Sequence, residues 1–226
     1  MIEVECHAQR RFRCNPQDTA LLVIDMQYDF VDTNGACGVS GANVARLQSV
    51  IPAVKTVLET ARNLGILVIH TRYGFAPDLS DLSAAVRQQS RDAGSEYGTP
   101  GPMGRILTRG EEGHRIIDEL APWATEPVID KSTFSAFTYT DLNERLRKRN
   151  ASHLWIVGVT TQCCVEGTIR DAVDRGYYVL TIEDACGAFD NDLHDGTMRA
   201  LQSEGHLFGW ITDTRRLAAA CQRQIP

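Results

Sequence analysis

The chain has 226 residues, of which 43% are hydrophobic and 23% are charged, and its formal net charge is −6. This length and composition are typical of one globular domain that buries its core without disulfide or metal support. The acidic balance provides no basic surface for a polyanion, so nucleic acid is excluded as an expected partner.

The N-terminal segment, residues 1–14, carries charges where a secretory signal would have an apolar stretch. No window approaches the roughly 18 apolar residues of a membrane span. The seven cysteines are odd in number and irregularly spaced, which favours reduced thiols over a disulfide framework. We therefore expect a cytoplasmic protein that has no membrane partner.

From Thr19 onward, short β-branched segments alternate with longer segments of helical periodicity. This alternation is typical of an α/β fold in which helices cover both faces of a parallel sheet. One domain, residues 1–226, is expected to contain a six-stranded, mainly parallel sheet. The predicted strands are 20–25, 66–71, 127–130, 153–159, 177–183 and 206–211.

The segment between the first two strands predicts a crossover helix. Apolar residues recur at three- and four-residue steps from Val44 to Ala61, and Gly65 follows as a C-cap. Pro52 lies inside this pattern and predicts a helix start or a kink near it. Further helices are predicted at 140–150, 164–175, 191–204 and 214–221.

The segment 73–113 interrupts the alternation of strands and helices. It is rich in glycine and carries prolines and charges throughout. A connection of this length in a compact domain indicates a functional lid or an arm that reaches an interface. A solvated surface excursion remains an equal alternative.

Polar residues follow three of the predicted strands, at the ends that border the ligand crevice of a parallel sheet. These are Asp25, Lys131 and the adjacent cysteines Cys163 and Cys164. A helix N-terminus and an ammonium group lower the pKa of a thiol, and a carboxylate can take up its proton. Each residue also has a structural interpretation, as a packed thiol, a turn-capping carboxylate or a solvated lysine.

Three segments of the sequence resemble the signature segments of the isochorismatase-like cysteine hydrolases, in the same order. They are VIDMQYDF (23–30), DKSTFSAF (130–137) and GVTTQCCVEGTIRDA (158–172). The resemblance implies a Rossmann-like three-layer fold and a catalytic triad of Cys164, Lys131 and Asp25. It further implies that the cysteine attacks a carbonyl to form a thioester, that the carboxylate shuttles the proton and that the lysine balances the charge.

The resemblance also implies a cis peptide bond between Val159 and Thr160, and an oxyanion hole formed by the backbone N–H groups of Thr160 and Cys164. Spacing alone does not separate Cys164 from Cys163. Only the family register favours Cys164 as the nucleophile, and Cys163 is expected to pack into the sheet. Family members form dimers or tetramers, so a homo-oligomer is expected here.

Nicotinamidases of this superfamily bind a metal through an Asp-x-His pattern downstream of the second strand, where this chain has His70, Thr71 and Arg72. We therefore predict no metal and no other cofactor. His70 ends an apolar strand and is predicted to be a core residue.

Two parts of the chain indicate different substrates. HTRYGFAPDLSDL (70–82) and PGPMGRILTRGEEG (100–113) resemble biuret hydrolases and related ureido-amide hydrolases, whereas FGWITD (208–213) resembles ureidoacrylate amidohydrolases. We predict cleavage of a small neutral ureido compound, triuret or biuret. Ureidoacrylate or another N-carbamoyl compound is the alternative, and a non-catalytic binding scaffold is a third.

Several residues are candidates for contact with such a substrate. Phe30 is expected to cover a planar face, Gln27 to help position the catalytic carboxylate, and Arg105 or Arg109 to donate to a distal carbonyl. Their structural alternatives are a core aromatic, a turn residue and solvated lid cations. Biuret hydrolases carry a glutamine near the position of Glu204, and a carboxylate there favours triuret because it only accepts hydrogen bonds.

Overall fold

The computed structural model describes residues 1–222, so residues 223–226 of the predicted domain lie outside the described residues. This part of the chain consists of short strands with helices between them. The strands are β1 (Ile2–Glu5), β2 (Arg11–Cys14), β3 (Thr19–Ile24), β4 (Leu67–Tyr73), β5 (Pro100–Gly101), β6 (Gly104–Arg105), β7 (Val128–Lys131), β8 (His153–Val159), β9 (Tyr178–Gly187) and β10 (Trp210–Thr212). The helices are α1 (Tyr28–Val31), α2 (Ala36–Val39), α3 (Val44–Gln48), α4 (Ile51–Asn63), α5 (Ala84–Asp92), α6 (Leu142–Lys148), α7 (Glu166–Asp174), α8 (Asn191–Leu201), α9 (Ser203–His206) and α10 (Thr214–Gln222).

Six strands form the central sheet in the order β10-β9-β8-β3-β4-β7, and every neighbouring pair is parallel. The predicted α/β fold with a six-stranded sheet is therefore confirmed. Strand β3 lies between β8 and β4, and β7 forms an edge. This order brings the carboxyl ends of β3, β4, β7 and β8 to one side of the molecule.

Both faces of the sheet are buried. Leu21 and Val23 of β3 pack in one apolar cluster with α4 and α10, whereas Leu22 and Ile24 pack in a second cluster with α6, α7 and α8. Because successive side chains of a strand point to opposite faces, a continuous apolar strand needs helices on both sides. The result is the three-layer arrangement that the sequence predicted.

Two differences from the prediction lie near the ends of the chain. An antiparallel hairpin of β1 and β2 precedes the sheet and was not predicted. The predicted strand 206–211 is wrong at its start, since strand pairing begins at Trp210. Gly209, at φ +109°, and the exposed Leu207 belong to a turn.

The crossover helix is divided as the sequence predicted. Helix α3 ends at Gln48, and α4 begins at Ile51 with Pro52 in its first turn, where the missing N–H of proline costs no helical hydrogen bond. Within residues 1–222, no helix combines the length and the apolar character required to cross a membrane.

The segment 73–113 is ordered around its own small apolar cluster. It contains α5 and the two-residue strands β5 and β6, and its cluster is formed by Ala36, Tyr73, Phe75, Leu82, Ile106 and Leu107. This cluster packs next to the carboxyl ends of the central strands, because Tyr73 is also the last residue of β4. The segment therefore covers the edge at which the polar candidates are found.

Candidate active site

The carboxyl edge of the sheet brings three predicted residues together. Asp25 follows β3, Lys131 is the last residue of β7, and Cys164 lies in a π-helical turn, Thr161–Val165, between β8 and α7. All three side chains are buried. Asp25 and Lys131, which are 106 positions apart in the sequence, meet because β3 and β7 lie on either side of β4 and end at the same edge of the parallel sheet.

Asp25 and Lys131 form a buried ion pair in which Nζ of Lys131 donates to Oδ2 of Asp25 at 2.7 Å. The hydroxyl of Thr71 donates to the other carboxylate oxygen, Oδ1, at 2.6 Å. Asp25 has a left-handed backbone, φ +51°, which a non-glycine residue adopts at a cost of about 1 kcal/mol or more. Its two side-chain hydrogen bonds hold the carboxylate in this conformation.

The ammonium group of Lys131 is shared among several acceptors. Besides Asp25, it donates to the carbonyl oxygen of Thr133 at 3.2 Å, and it lies 4.9 Å from the ring centroid of Tyr73. Burial alone lowers the pKa of this ammonium, but the charge of Asp25 and the contact with Cys164 outweigh burial and raise it. Lys131 is therefore a permanent cation beside the sulfur.

The adjacent thiols are not equivalent. The interaction between the two neighbouring thiols lowers the pKa of Cys163 and raises that of Cys164 well above its usual value, and burial raises the latter further. The charge of Lys131 acts on both sulfurs in the opposite direction to burial. Cys163 is half-buried and packs against the apolar cluster that contains Leu22 and Ile24, as expected, and its thiol is also close enough to Lys131 and Asp25 for their charges to affect its pKa. A helix N-terminus is thus not enough to leave Cys164 as a thiolate at rest.

The turn that carries Cys164 has an unusual backbone. The peptide bond between Val159 and Thr160 is cis, at the position that the family resemblance implied. Gly158 has φ +120°, and a Cβ atom there would lie 2.1 Å from the carbonyl oxygen of Ile24, so only glycine fits between β8 and β3. The oxyanion hole of Thr160 and Cys164 N–H groups remains a prediction.

A cavity of about 540 Å³ reaches Lys131 from the side of segment 73–113, which is called the lid segment below. Its lining combines residues of the lid with residues that follow β7: Phe75, Asp81, Ser83, Val86, Arg109, Asp130, Lys131, Ser132, Thr133 and Tyr139. The volume lies in the range of small-molecule sites. Arg109 is the one predicted substrate-binding residue in this lining.

Two other residues that were predicted to act at the substrate, Gln27 and Arg105, hold the lid segment in place. The amide of Gln27 donates to the carbonyls of Tyr73 and His114 at 3.0 and 3.1 Å and accepts from the N–H of Tyr73 at 2.7 Å, so it has little capacity left for a substrate. Arg105 donates to Glu111 at 2.8 Å and to the carbonyl of Pro77 at 2.7 Å. Both residues connect backbone segments to each other.

Phe30 is half-buried and packs against two apolar clusters, 6.4 Å from Tyr73 between ring centroids, so its contact with a substrate remains a prediction. Glu204 differs from the prediction. Glu204 is exposed in α9, which precedes the first residue of β10. That position lies at the amino edge of a parallel sheet, so the fold of this chain puts Glu204 on the side opposite to Cys164.

Sequence reasoning did not identify Thr71, Tyr73 or Asp81 as site residues. Thr71 and Tyr73 are two positions apart at the end of β4, and this spacing puts both on the same face of the strand. This two-residue spacing at the end of a predicted strand could have identified both residues from the sequence. Asp81 lies in a loop, where no local pattern indicates a partner.

His70 is fully buried, and its Nε2 is hydrogen bonded to Oε2 of Glu126 at 3.1 Å. This agrees with its prediction as a core residue. In the part of the chain that the structure describes, no group of three or more His, Cys, Asp or Glu side chains is arranged to hold a metal ion.

Comparison with known proteins gives a consistent family. The model of the isochorismatase domain matches residues 19–216. Ureidoacrylate amidohydrolase of Acinetobacter baylyi is 30% identical over 204 residues, which cover 88% of this chain and 82% of that protein. The enzyme of the same name from Cronobacter turicensis is 29% identical and covers 91% of this chain and 89% of its own length.

Solved structures lead to the same group. A cysteine hydrolase from Pseudomonas syringae pv. phaseolicola superposes with a TM-score of 0.78 at 28% identity, over 93% of this chain and 97% of the other. An isochorismatase family protein from Desulfovibrio vulgaris superposes with a TM-score of 0.74 at 27% identity, over 91% and 99% of the two chains.

Proposed function

This chain belongs to the isochorismatase-like cysteine hydrolases, which cleave amide C–N bonds, and we propose that it hydrolyses a small linear ureido compound through a thioester on Cys164. The observation that carries the proposal is the buried pair of Asp25 and Lys131 beside this thiol. A cation, a carboxylate and a nucleophile in one buried place are the groups that acyl transfer requires.

The raised pKa of Cys164 supports a mechanism that begins from a neutral thiol. The carboxylate of Asp25 accepts the thiol proton while the sulfur attacks the ureido carbonyl carbon. Lys131 has an anionic partner throughout. As the carboxylate of Asp25 becomes neutral, the negative charge that develops on the sulfur takes its place beside the ammonium group. The ion pair therefore moves charge without leaving an isolated ion in the core.

The remaining steps return the proton and release the acyl group. The backbone N–H groups of Thr160 and Cys164 are proposed to stabilise the tetrahedral oxyanion, where one donor is worth roughly 3 kcal/mol. Asp25 then donates its proton to the leaving nitrogen as the C–N bond breaks and the thioester forms. Water, deprotonated by the same carboxylate, attacks the thioester carbon, and as the C–S bond breaks Asp25 returns that proton to the sulfur and restores the thiol. Side chains supply both nucleophile and proton shuttle, so the proposed reaction uses no cofactor.

Two substrates within this class have support. The curated relatives hydrolyse ureidoacrylate by name, which favours an N-carbamoyl acid of that kind. Triuret and biuret are the second candidate, favoured by the segments 70–82 and 100–113. These two segments supply Phe75, Asp81 and Arg109 to the cavity next to Lys131.

The adjacent cysteines offer a matched pair of variants to test the nucleophile. We expect Cys164→Ser to lose about 10³-fold or more in kcat, because a hydroxyl in the same place is a far weaker nucleophile. Cys163→Ser should retain activity within about tenfold, since it leaves the sulfur of Cys164 and the pair of Asp25 and Lys131 in place. The measurement is loss of ureidoacrylate, triuret and biuret by chromatography, with mass spectrometry of quenched enzyme to detect the acyl adduct.

Two results would contradict the proposal. Retention of activity in Cys164→Ser together with its loss in Cys163→Ser would make Cys163 the nucleophile. A folded wild-type protein that turns over none of the three compounds would remove the ureido substrates.

A further inference from the structure

The charged side chains that line the cavity are each neutralised by a partner. Among the described residues there are three such pairs: Lys131 with Asp25, Asp130 with Arg72, and Arg109 with Asp81. The second pair is bidentate, since Arg72 donates to both carboxylate oxygens of Asp130 at 2.7 and 3.0 Å. The lining therefore carries donors and acceptors but no net charge.

This neutrality matters for the part of the substrate that lies away from the cleaved bond. A carboxylate loses strong hydration when it enters a cavity, and it needs a cation that is not already paired. The lining has two cations, and one of them, Lys131, belongs to the proposed catalytic triad. The other, Arg109, is already paired with Asp81 along one edge of its guanidinium. A neutral carbamoyl group has no such requirement.

The geometry of Asp81 and Arg109 matches a carbamoyl group. Nη2 of Arg109 lies 3.0 Å from Oδ2 of Asp81, and about three tenths of each side chain is exposed (28% and 29%). The other oxygen of Asp81 accepts from the N–H of Ala76 at 2.8 Å, which fixes the orientation of the carboxylate. Nε of Arg109 is buried and has no acceptor within residues 1–222, so the guanidinium has one unsatisfied donor.

A terminal –CO–NH₂ group presents a carbonyl acceptor next to an N–H donor. A guanidinium donor next to a carboxylate acceptor is the complementary arrangement. A terminal carboxylate presents two acceptors, and the second would face the oxygens of Asp81, which only accept.

We propose that Asp81 and Arg109 form a donor–acceptor couple that selects a ureido substrate with a neutral carbamoyl group at its distal end, such as triuret or biuret, over one that ends in a carboxylate, such as ureidoacrylate. This inference rests on the proposed function, because it concerns the other end of the same substrate. It makes Asp81 a specificity-determining residue.

The test compares two substrates in two lid variants. Asp81→Asn keeps an oxygen for the N–H of Ala76 and removes the negative charge beside Arg109. Glu96→Gln is the matched control: it removes the same charge from the Arg91 ion pair of the lid, whose residues are outside the cavity lining. The ratio of kcat/KM for ureidoacrylate to kcat/KM for triuret is measured for each protein, and thermal melting verifies folding.

We expect wild type to prefer triuret, and Asp81→Asn to raise the ratio by about tenfold or more, since it frees a cation and removes a repulsive acceptor. Glu96→Gln should leave the ratio within about twofold. A wild type that prefers ureidoacrylate, or an active Asp81→Asn variant with an unchanged ratio, overturns this inference and leaves the proposed function intact. A folded wild type that is inactive on both compounds and on biuret overturns the proposed function and the inference with it.

Discussion

At the scale of single residues, the carboxylate of Asp25 is the group on which the site depends. Its two oxygens have different partners, since one accepts from Lys131 and the other from Thr71. A carboxylate that must first accept and then return a proton works only when its position is fixed. Thr71 therefore orients the group through which we propose that Cys164 loses its proton.

Replacing Thr71 by valine tests this positioning role. Thr71→Val keeps the shape of the side chain but leaves Oδ1 of Asp25 without its donor, which costs about 1–3 kcal/mol in a buried site. We expect kcat to fall by about tenfold or more and its pH profile to shift. Thr71→Ser should restore both, because it restores the hydroxyl. A Thr71→Val enzyme with the wild-type kcat at every pH would contradict the role.

At the scale of elements, the two edges of the sheet are held by different kinds of contact. At the carboxyl edge, the carboxylate of Asp29 accepts from the N–H groups of Leu107 and Ala36 at 2.9 and 3.1 Å. Together with Gln27, it ties the lid segment to α1, the helix that follows Asp25. Buried hydrogen bonds therefore join the lid segment to the end of the strand that carries Asp25. Gln27 and Arg105, which were expected to act at the substrate, instead stabilise the backbone around the site.

At the amino edge, Glu126 joins α4, β4 and the start of β7. It accepts from Nε and Nη2 of Arg62, both at 2.8 Å, from the N–H of Trp123 at 2.8 Å, and it is hydrogen bonded to His70. Burial alone raises the pKa of Glu126, but these donors outweigh burial and lower it to about 2.

This pKa predicts a pH-dependent contribution to stability. A carboxyl group whose pKa is lowered by folding stabilises the protein above its unfolded pKa, near 4.5, and this contribution is lost as pH falls toward 2. Glu126→Gln should therefore reduce the free energy of unfolding by about 2 kcal/mol at pH 7, with a smaller difference at pH 3. Urea denaturation of both proteins measures it, with the exposed Glu119→Gln as control. A difference that stays constant between pH 7 and pH 3 would contradict this account.

At the scale of the whole molecule, several large apolar side chains are exposed in the single chain. Tyr139 is 94% exposed and lines the cavity, and Phe134, which follows Lys131 by three residues and stacks on Tyr73, is 51% exposed. Exposed aromatic residues around a functional site are typical of an interface. They support the homo-oligomer that the family resemblance implies.

Sedimentation velocity tests this prediction. We expect a species with two or four times the 25.0 kDa mass of the chain. Tyr139→Ser should weaken association by about tenfold or more, whereas Leu207→Ser, which removes an exposed apolar side chain at the opposite edge, should not. A wild-type protein that sediments as a monomer at tens of micromolar would contradict the prediction.

The sequence by itself determined the elements and the residues at their ends. Apolar runs such as 153–159 predict buried strands, and Pro52 and Gly65 mark helix boundaries, because these signals are local. In a parallel sheet every strand ends at the same edge, so Asp25, Lys131 and the Cys163–Cys164 turn were predictable as neighbours.

Only the tertiary structure decided which groups pair within that edge. The use of Gln27 as a backbone clamp, the position of Glu204 at the opposite edge and the pairing of Asp81 with Arg109 depend on contacts between distant segments. The two cysteines differ for the same reason, since their pKa values follow burial and the interaction between the two thiols rather than spacing. Hydrogen bonds and burial between segments far apart in the chain leave no local periodicity, so only the folded arrangement of the strands and the lid reveals them.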